Sequence, residues 1–293
     1  MTAVVERPLD GPAEPTDPAL LFVVPRRRRL NKTLVSGLAL VGLLVLAAVC
    51  APLITPYDPT AQDLANSLAG PGGKHLLGTD QLGRDTLSRL LYGARTDLRV
   101  GLLAVLFPFV IGSALGLIVG YRGGWLDTVV MRVVDMVVAF PFYVLVIALV
   151  FVLGPGTRNI YLAITVVGWV AYCRIVRAEV LVAKQQEYTL AARAAGVPAW
   201  RILVRHLLPN VITQAVVYSM SDIVLSILAI VTLGYLGLGV PPPAPDWGSM
   251  IADGQQFLLD KWWLTTIPGL AVVVTGLGLS LVGDGIVERV KQT

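Results

Sequence analysis

The chain has 293 residues, of which 55% are hydrophobic and only 14% charged, and its mean hydropathy is +0.73. Soluble domains carry about a quarter charged residues, so this balance excludes an ordinary water-soluble fold and points to a membrane protein. The net charge of +4 does not indicate a nucleic-acid partner, because the basic residues gather at the edges of apolar runs and form no separate basic domain.

Residues 1–31 are proline-rich and lack apolar periodicity, which predicts a cytoplasmic, mostly disordered basic tail. The run RRRRLNK (Arg26 to Lys32) then leads into 25 uncharged residues, Thr33 to Tyr57. Spanning a bilayer core takes roughly 20 helical residues, so a first transmembrane helix is placed at 32–56. Paired arginines before an apolar run, and LAAVC ending at Cys50, also suggest an export or lipoprotein signal. Val49 fits poorly before a lipidated cysteine, and the further spans suit an uncleaved helix. Cys50 and Cys173 both sit in apolar surroundings and read as small buried hydrophobes, with no disulfide framework and no metal pattern.

Residues 57–99 are expected to form an extracytoplasmic loop containing a short helix. Asp85 is placed to cap that helix at Thr86, after turns at Gly78 and Gly83. Residues 100–293 follow as a five-helix core. Two stretches of 22 uncharged residues, between Arg99 and Arg122 and between Asp135 and Arg158, supply spans two and three. Span four runs from Asn159 through Cys173 and continues past Arg174 and Arg177, whose long side chains can snorkel. Span five covers about 211–240 with Asp222 inside it, and span six covers the 22 uncharged residues from Trp262 to Gly283. Gly112, Gly116 and Gly120 share one face of span two, where a neighbouring helix can come close. Pro108, Pro141 and Pro268 lie within spans and are expected to bend them or free a carbonyl. With the N-terminus inside, the inner segments hold 16 of the 23 Lys and Arg residues, so the positive-inside rule puts both termini in the cytoplasm.

The cytoplasmic segment 182–209 takes in all but the last residue of the stretch EYTLAARAAGVPAWRILVRHLLPN (Glu187 to Asn210). On a helix Tyr188, Ala191, Ala192 and Ala195 fall on one small-residue stripe. Gly196 permits a stop, and Pro198 starts a second helix through Trp200, Leu203 and Leu207. Two short helices at an angle result, continuous with the spans on either side. Periodicity does not separate a protein partner from lipid headgroups facing Arg193, Arg201 and Arg205.

The segment LAARAAG…HLLPN resembles the EAA loop of the inner-membrane permease subunits of ABC importers. Ala191, Ala192, Gly196, Leu208 and Pro209 match that pattern at its spacing, while Leu190 replaces the Glu and His206 the Ile. The resemblance implies that this loop docks in a cleft of a cytoplasmic ATPase, with Ala191, Ala192 and Gly196 in closest contact. Glu187, Tyr188, Arg193, Val197 and Trp200 complete the candidate coupling surface. Loss of the Glu at Leu190 removes one polar anchor, for which Glu187 is a candidate substitute. HLLGTDQLGRDTLSRLLYGAR (from His75), GYRGGWLDTVVMRVVDMVVAFPF (from Gly120), YLGLGVPPPAPDWGSM (from Tyr235) and LVGDGI (from Leu281) are similar to the second permease of dipeptide, oligopeptide and nickel importers. Ile230 stands where that family often has Glu.

Several residues keep two readings. Asp80, Arg84, Asp85, Asp246 and Trp247 of the outer loops could dock an extracytoplasmic binding protein. For Asp85 the alternative is the helix cap, and for Trp247 it is an aromatic anchor at the membrane surface. A carboxylate in mid-span costs roughly 2.5–3.5 kcal/mol on insertion scales, so Asp222 should line a translocation path or bond a neighbouring helix.

No GxxxxGK[ST], HExxH or GxSxG motif occurs, and His75 and His206 lie on opposite membrane faces, so no catalytic residues are assigned. The expectation is therefore an all-α, six-span protein with a type I ABC importer permease fold, in the cell membrane. The resemblance implies a heterodimer with a second homologous permease, two cytoplasmic ATP-binding subunits or domains that hold ATP and Mg, and a substrate-binding protein. This chain itself carries no cofactor or metal. Peptides lead as cargo; nickel, haem or glutathione-like cargo, a non-transporting membrane scaffold and an intramembrane hydrolase are the alternatives.

Overall fold

A computed structural model describes residues 32–291 of the chain. The basic tail expected over 1–31 lies outside the described residues. Within them the chain is helical apart from its loops and one isolated bridge between Thr79 and Asp85.

The first helix, α1 (Lys32–Val49), is apolar on all sides and buries only Gly37 and Ala48, as a helix facing lipid does. It runs antiparallel along α9 (Trp263–Lys291), where Gly37 meets Leu281 and Val282, and Gly285 meets Leu34. Arg95 donates to the carbonyls of Ala48 and Val49, two of the acceptors that the end of α1 leaves open.

The next helix, α2, is a single element from Thr86 to Arg122, 37 residues. The short loop helix and the second span expected separately are thus one rod, because nothing between Thr86 and Phe107 breaks a helix. At about 1.5 Å per residue it exceeds a hydrocarbon core of about 30 Å, so its first turns stand clear of the bilayer. Pro108 lies inside it without ending it.

Span three is corrected most. In place of one helix between Asp135 and Arg158 there are two, α3 (Gly124–Val138) and α4 (Phe142–Leu153), which meet at 89°. Pro141 is the N-cap of α4, which fits the proline effect expected there. The pair still crosses the membrane once. Gly112 faces Trp169 and Tyr172, Gly116 faces Cys173 and Arg177, and Gly120 faces Val180 of α5 (Thr157–Ala183), so numbering rises in the same direction along both helices. Parallel α2 and α5 require the connection between them to return across the bilayer, and α3 with α4 makes that return. Counted so, the described residues hold six candidate spans.

After α5 come the short α6 (Glu187–Ala194) and then α7, which continues from Ala199 to Tyr235. Its Ile202–Leu207 section is π-helical and is followed by α-helix from Leu208. Pro209 has no N–H to return to Arg205 and its ring would crowd that carbonyl, and the wider turn sits immediately before it. Span five is therefore longer than expected and takes in the second helix of the 182–209 segment. A short helix, α8 (Trp247–Gln255), tucks between α2, α7 and α9 before the last span.

The α2–α5 contact is backbone against side chain and backbone. A Cβ on Gly116 would lie 2.5 Å from the Cys173 carbonyl oxygen and 3.1 Å from Arg177 N. Gly116→Val is expected to destabilise the protein by at least the ~1–3 kcal/mol of an overpacked site, since backbone cannot rotate away. A lower thermal unfolding midpoint in detergent, with Gly269→Val (where a Cβ meets nothing within 4 Å) as control, checks this.

Candidate functional site

The elbow between α5 and α7 is fastened to the spans at several points. Lys184, just past α5, donates its Nζ to the Gly120 carbonyl at 2.8 Å, tying the elbow to the end of α2. Thr189 is fully buried and donates Oγ1 to the Ala183 carbonyl at 2.8 Å, which folds α6 back under α5. Arg193 lies over the Tyr121 ring, 4.7 Å from its centroid. Glu187 occupies the first turn of α6 and Arg193 the last, each the sign that the helix dipole favours.

Gly196 has φ +72° and ends α6, with Val197 N donating to the Ala192 carbonyl at 3.1 Å in a Schellman-type stop. No atom lies within 4 Å of where its Cβ would be, so the backbone conformation alone asks for glycine here. Pro198 then caps the helical start at Ala199.

The small-residue stripe divides. Ala192 turns inward, 8% exposed, into one apolar cluster with Leu117, Val176, Val180, Ile202 and Leu207. Tyr188, Ala191 and Ala195 remain exposed, together with Glu187, Leu190, Arg193 and Gly196. Val197 is half-buried against the same cluster, and Trp200 is 63% exposed with Arg201 stacked on its ring at 5.4 Å. Thus the elbow presents a shallow surface of small residues bordered by Tyr188, Leu190 and Trp200, while its other side belongs to the span core.

At the other end of the bundle, the five outer-loop candidates are tied into the chain's own structure. Asp80 accepts from Leu82 N, Arg84 N and Arg84 Nε at 2.9, 3.0 and 2.6 Å, and Arg89 Nε lies 3.4 Å from it. Arg84 also reaches Asp253 at 3.2 Å. Asp85 caps α2 by accepting from Ser88 N at 2.7 Å, and its other oxygen meets His75 Nδ1 at 2.8 Å. Asp246 caps α8 by accepting from Ser249 N at 2.9 Å, and burial pushes its carboxyl above the usual carboxylate range. Trp247 is 1% exposed, with its backbone N–H on Asp97 at 2.9 Å and its indole N–H on the Leu90 carbonyl at 3.0 Å. It is a core residue, not a surface anchor, because Gly93 and Gly248 let α2 and α7 close around it.

Asp222 lies midway along α7 and accepts a 2.7 Å hydrogen bond from Tyr172 of α5. Tyr172 stands edge-on to Tyr218 and Phe109, at 5.1 and 5.4 Å between centroids. Composition gave no hint of two partnerships. Arg177, expected to snorkel, instead grips Asp127 of α3 with two bonds of 2.5 and 2.6 Å, and Arg89 reaches Asp80. The first pair is 50 residues apart in the chain, beyond any local periodicity. No cluster of three or more potential metal ligands occurs among the described residues.

Comparison with known proteins gives one consistent picture. Residues 112–293 match the family described as binding-protein-dependent transport system inner membrane component, and residues 24–71 match the N-terminal transmembrane domain of oligopeptide transport permease C. The dipeptide transport system permease protein DppC of Alkalihalophilus pseudofirmus is 37% identical, over 89% of this chain and 86% of its own. The di/tripeptide transport system permease protein DppC of Pseudomonas aeruginosa is 37% identical over 94% of each chain. The probable D,D-dipeptide transport system permease protein DdpC of Escherichia coli is 38% identical, over 86% of this chain and 85% of its own. Among solved structures, a chain of the inward-facing MetNI methionine ABC transporter superposes with a TM-score of 0.53 at 21% identity, covering 69% of this chain and 96% of that one, a likeness of fold.

Removing Asp80 leaves Arg84 buried with Asp253 alone, at 3.2 Å, and Arg89 buried with no carboxylate within ion-pair range among the described residues. Asp80→Ala is therefore expected to cost about 3–5 kcal/mol. Thermal unfolding of the purified protein, with the exposed Asp260→Ala as a control near zero, measures it.

Proposed function

Because the chain belongs to the family of binding-protein-dependent transport system inner membrane components, we propose that it forms half of the translocation pathway of an ATP-driven importer of dipeptides or oligopeptides. The full assembly adds a second homologous permease, two ATP-binding subunits or domains that carry ATP and Mg, and a substrate-binding protein. The chain sits in the cell membrane with both termini and the elbow on the cytoplasmic side, and it performs no hydrolysis of its own. Peptide cargo is supported by relatives named for dipeptide and di/tripeptide transport at 37% identity over most of their length.

The observation that carries the coupling role is the elbow's double character. One side is packed into the apolar core that α2, α5 and α7 share, and the other presents Tyr188, Ala191, Ala195 and Gly196 outward. An ATPase cleft closing on the outward side would move a body rigidly joined to α5 and α7. Nucleotide binding would then favour one arrangement of the two permeases and release the other, because the ATPase contacts differ between the two. Glu187, Arg193 and Trp200 border this surface, and Ala192 and Val197 support it from behind.

Two substitutions test this. Ala191→Cys is expected to crosslink to an ATPase subunit in the assembled complex, while Leu106→Cys, exposed on α2 and far from the elbow, is not. Ala191→Arg, which adds bulk on the exposed flank, is expected to reduce ATP-driven dipeptide uptake at least about tenfold, the equivalent of roughly 1.4 kcal/mol of docking free energy, with the permease still inserted. Unimpaired uptake by Ala191→Arg and no crosslink at Ala191 would remove the elbow from the coupling role.

A further inference from the structure

Asp222 is a carboxylate without a countercharge. It sits in the middle of α7, and among the described residues no Lys, Arg or His lies within ion-pair distance of it. Its Oδ2 accepts from Tyr172. Its Oδ1 accepts from no protein group, yet it is not among the enclosed, unpartnered atoms, so it is open to whatever occupies the space beside it. An open carboxylate oxygen at mid-membrane depth is costly unless a cation or proton visits it.

The groups around it suit an organic cation. Tyr172 of α5 and Tyr218 of α7 stand at 78° to each other, and Tyr143 of α4 is a further electrostatic neighbour. Tyr143 lies at the exposed flank, 36% accessible, with its hydroxyl donated to the Leu225 carbonyl at 3.3 Å. Ser221 and Leu225 continue that exposed flank along α7. The last span, α9, faces α7 through Gly276 and Gly283 and brings no charge at this depth, since residues 264–283 are uncharged. Aromatic faces together with one carboxylate are the chemistry that holds a primary ammonium group: a charge-assisted hydrogen bond at one point and ring quadrupoles around it.

We infer that Asp222, held by the fully buried Tyr172 and rimmed by Tyr143 and Tyr218, is a mid-membrane station for the cationic α-amino end of a peptide in transit. The inference rests on the peptide-importer reading and adds to it a site and the part of the cargo that the site takes. Only one oxygen is free and no anionic partner for a carboxyl end is at hand, so the site grips weakly and at one end, which suits a passage rather than a store.

The test uses the whole complex in proteoliposomes: this chain, its partner permease, the ATPases and the binding protein, with radiolabelled dialanine as the probe. Initial uptake is compared between wild type and Asp222→Asn, an isostere that still accepts from Tyr172, at pH 6.5 and pH 9. The α-amino group titrates near pH 8, so the peptide loses its positive charge across this interval. Because both complexes share one binding protein, its own pH dependence cancels in the ratio. Wild type is expected to exceed Asp222→Asn about tenfold at pH 6.5, with the ratio falling towards one at pH 9, and Asp222→Glu is expected to behave as wild type. Tyr143→Leu, at the exposed rim where folding is least at risk, is expected to show the same pH-dependent trend at about threefold.

Equal uptake by wild type, Asp222→Asn and Tyr143→Leu at pH 6.5 overturns the assignment. So does a tenfold ratio that persists at pH 9, which would make Asp222 the fixed partner of a cation on the second permease. If the wild-type complex hydrolyses ATP but takes up no dialanine at either pH, the peptide reading itself fails, and the station falls with it.

Discussion

The most extensive helix–helix contact among the described residues is the parallel seam between α2 and α5, where Gly112, Gly116 and Gly120 lay one helix against the other. Lipid tails are as apolar as leucine, so helices in a bilayer associate through close packing rather than through removal of apolar surface from water. Three glycines four residues apart remove the side chains that would hold the two rods apart. The arrangement of the rest follows from that seam. Parallel neighbours cannot be joined by a short turn, so α3 and α4 must cross between them, and their 89° bend lets one connection both return and cover the flank.

The same seam places the elbow. Gly120 sits at its lower end, and the Gly120 carbonyl is the acceptor for Lys184, while the adjacent Tyr121 carries Arg193 on its ring. The elbow is thus held to α2 by polar contacts and to α5 by Thr189, and Ala192 fastens it to the apolar core. On its far side it turns through residues 195–198 into α7, whose π-helical section before Pro209 runs on into the span. A force applied to α6 would pass to its neighbours through these contacts: the Thr189 bond, the Lys184 and Arg193 ties, and the apolar packing of Ala192. That mechanical continuity is what the proposed coupling to an ATPase requires.

The opposite end is built on another logic. Asp80, Arg84, Asp85, Arg89, Asp97 and Asp246 are buried there, although charged side chains are seldom buried unless paired. They hold loop backbone and helix starts in place: Asp85 begins α2, Asp246 begins α8, and Asp97 receives the Trp247 N–H. Trp247 then closes the gap between α2 and α7. Polar groups do this work because the segment lies beyond the apolar length of the spans, where loops must satisfy their own backbone groups.

Much was decided by the residues in order along the chain. Uncharged runs of about 22 residues give the spans, because a bilayer core demands that length of helix whatever surrounds it. Asp85 before Thr86 gives a helix start, the glycine spacing gives a packing face, and Gly196 gives a stop, since each acts within a turn or two of itself. The pattern LAARAAG…HLLPN gives the elbow for the same reason. Tertiary structure alone decided which way those local features turn. Ala191 and Ala192 are neighbours of identical chemistry, and only the position of α5 and α7 makes one face outward and the other face the core. Trp247 reads as a surface group because its partners Leu90 and Asp97 are about 150 residues away in sequence. The bend in the third span, the grip of Arg177 on Asp127 and the unpaired oxygen of Asp222 likewise depend on what lies opposite in space, which local periodicity does not encode.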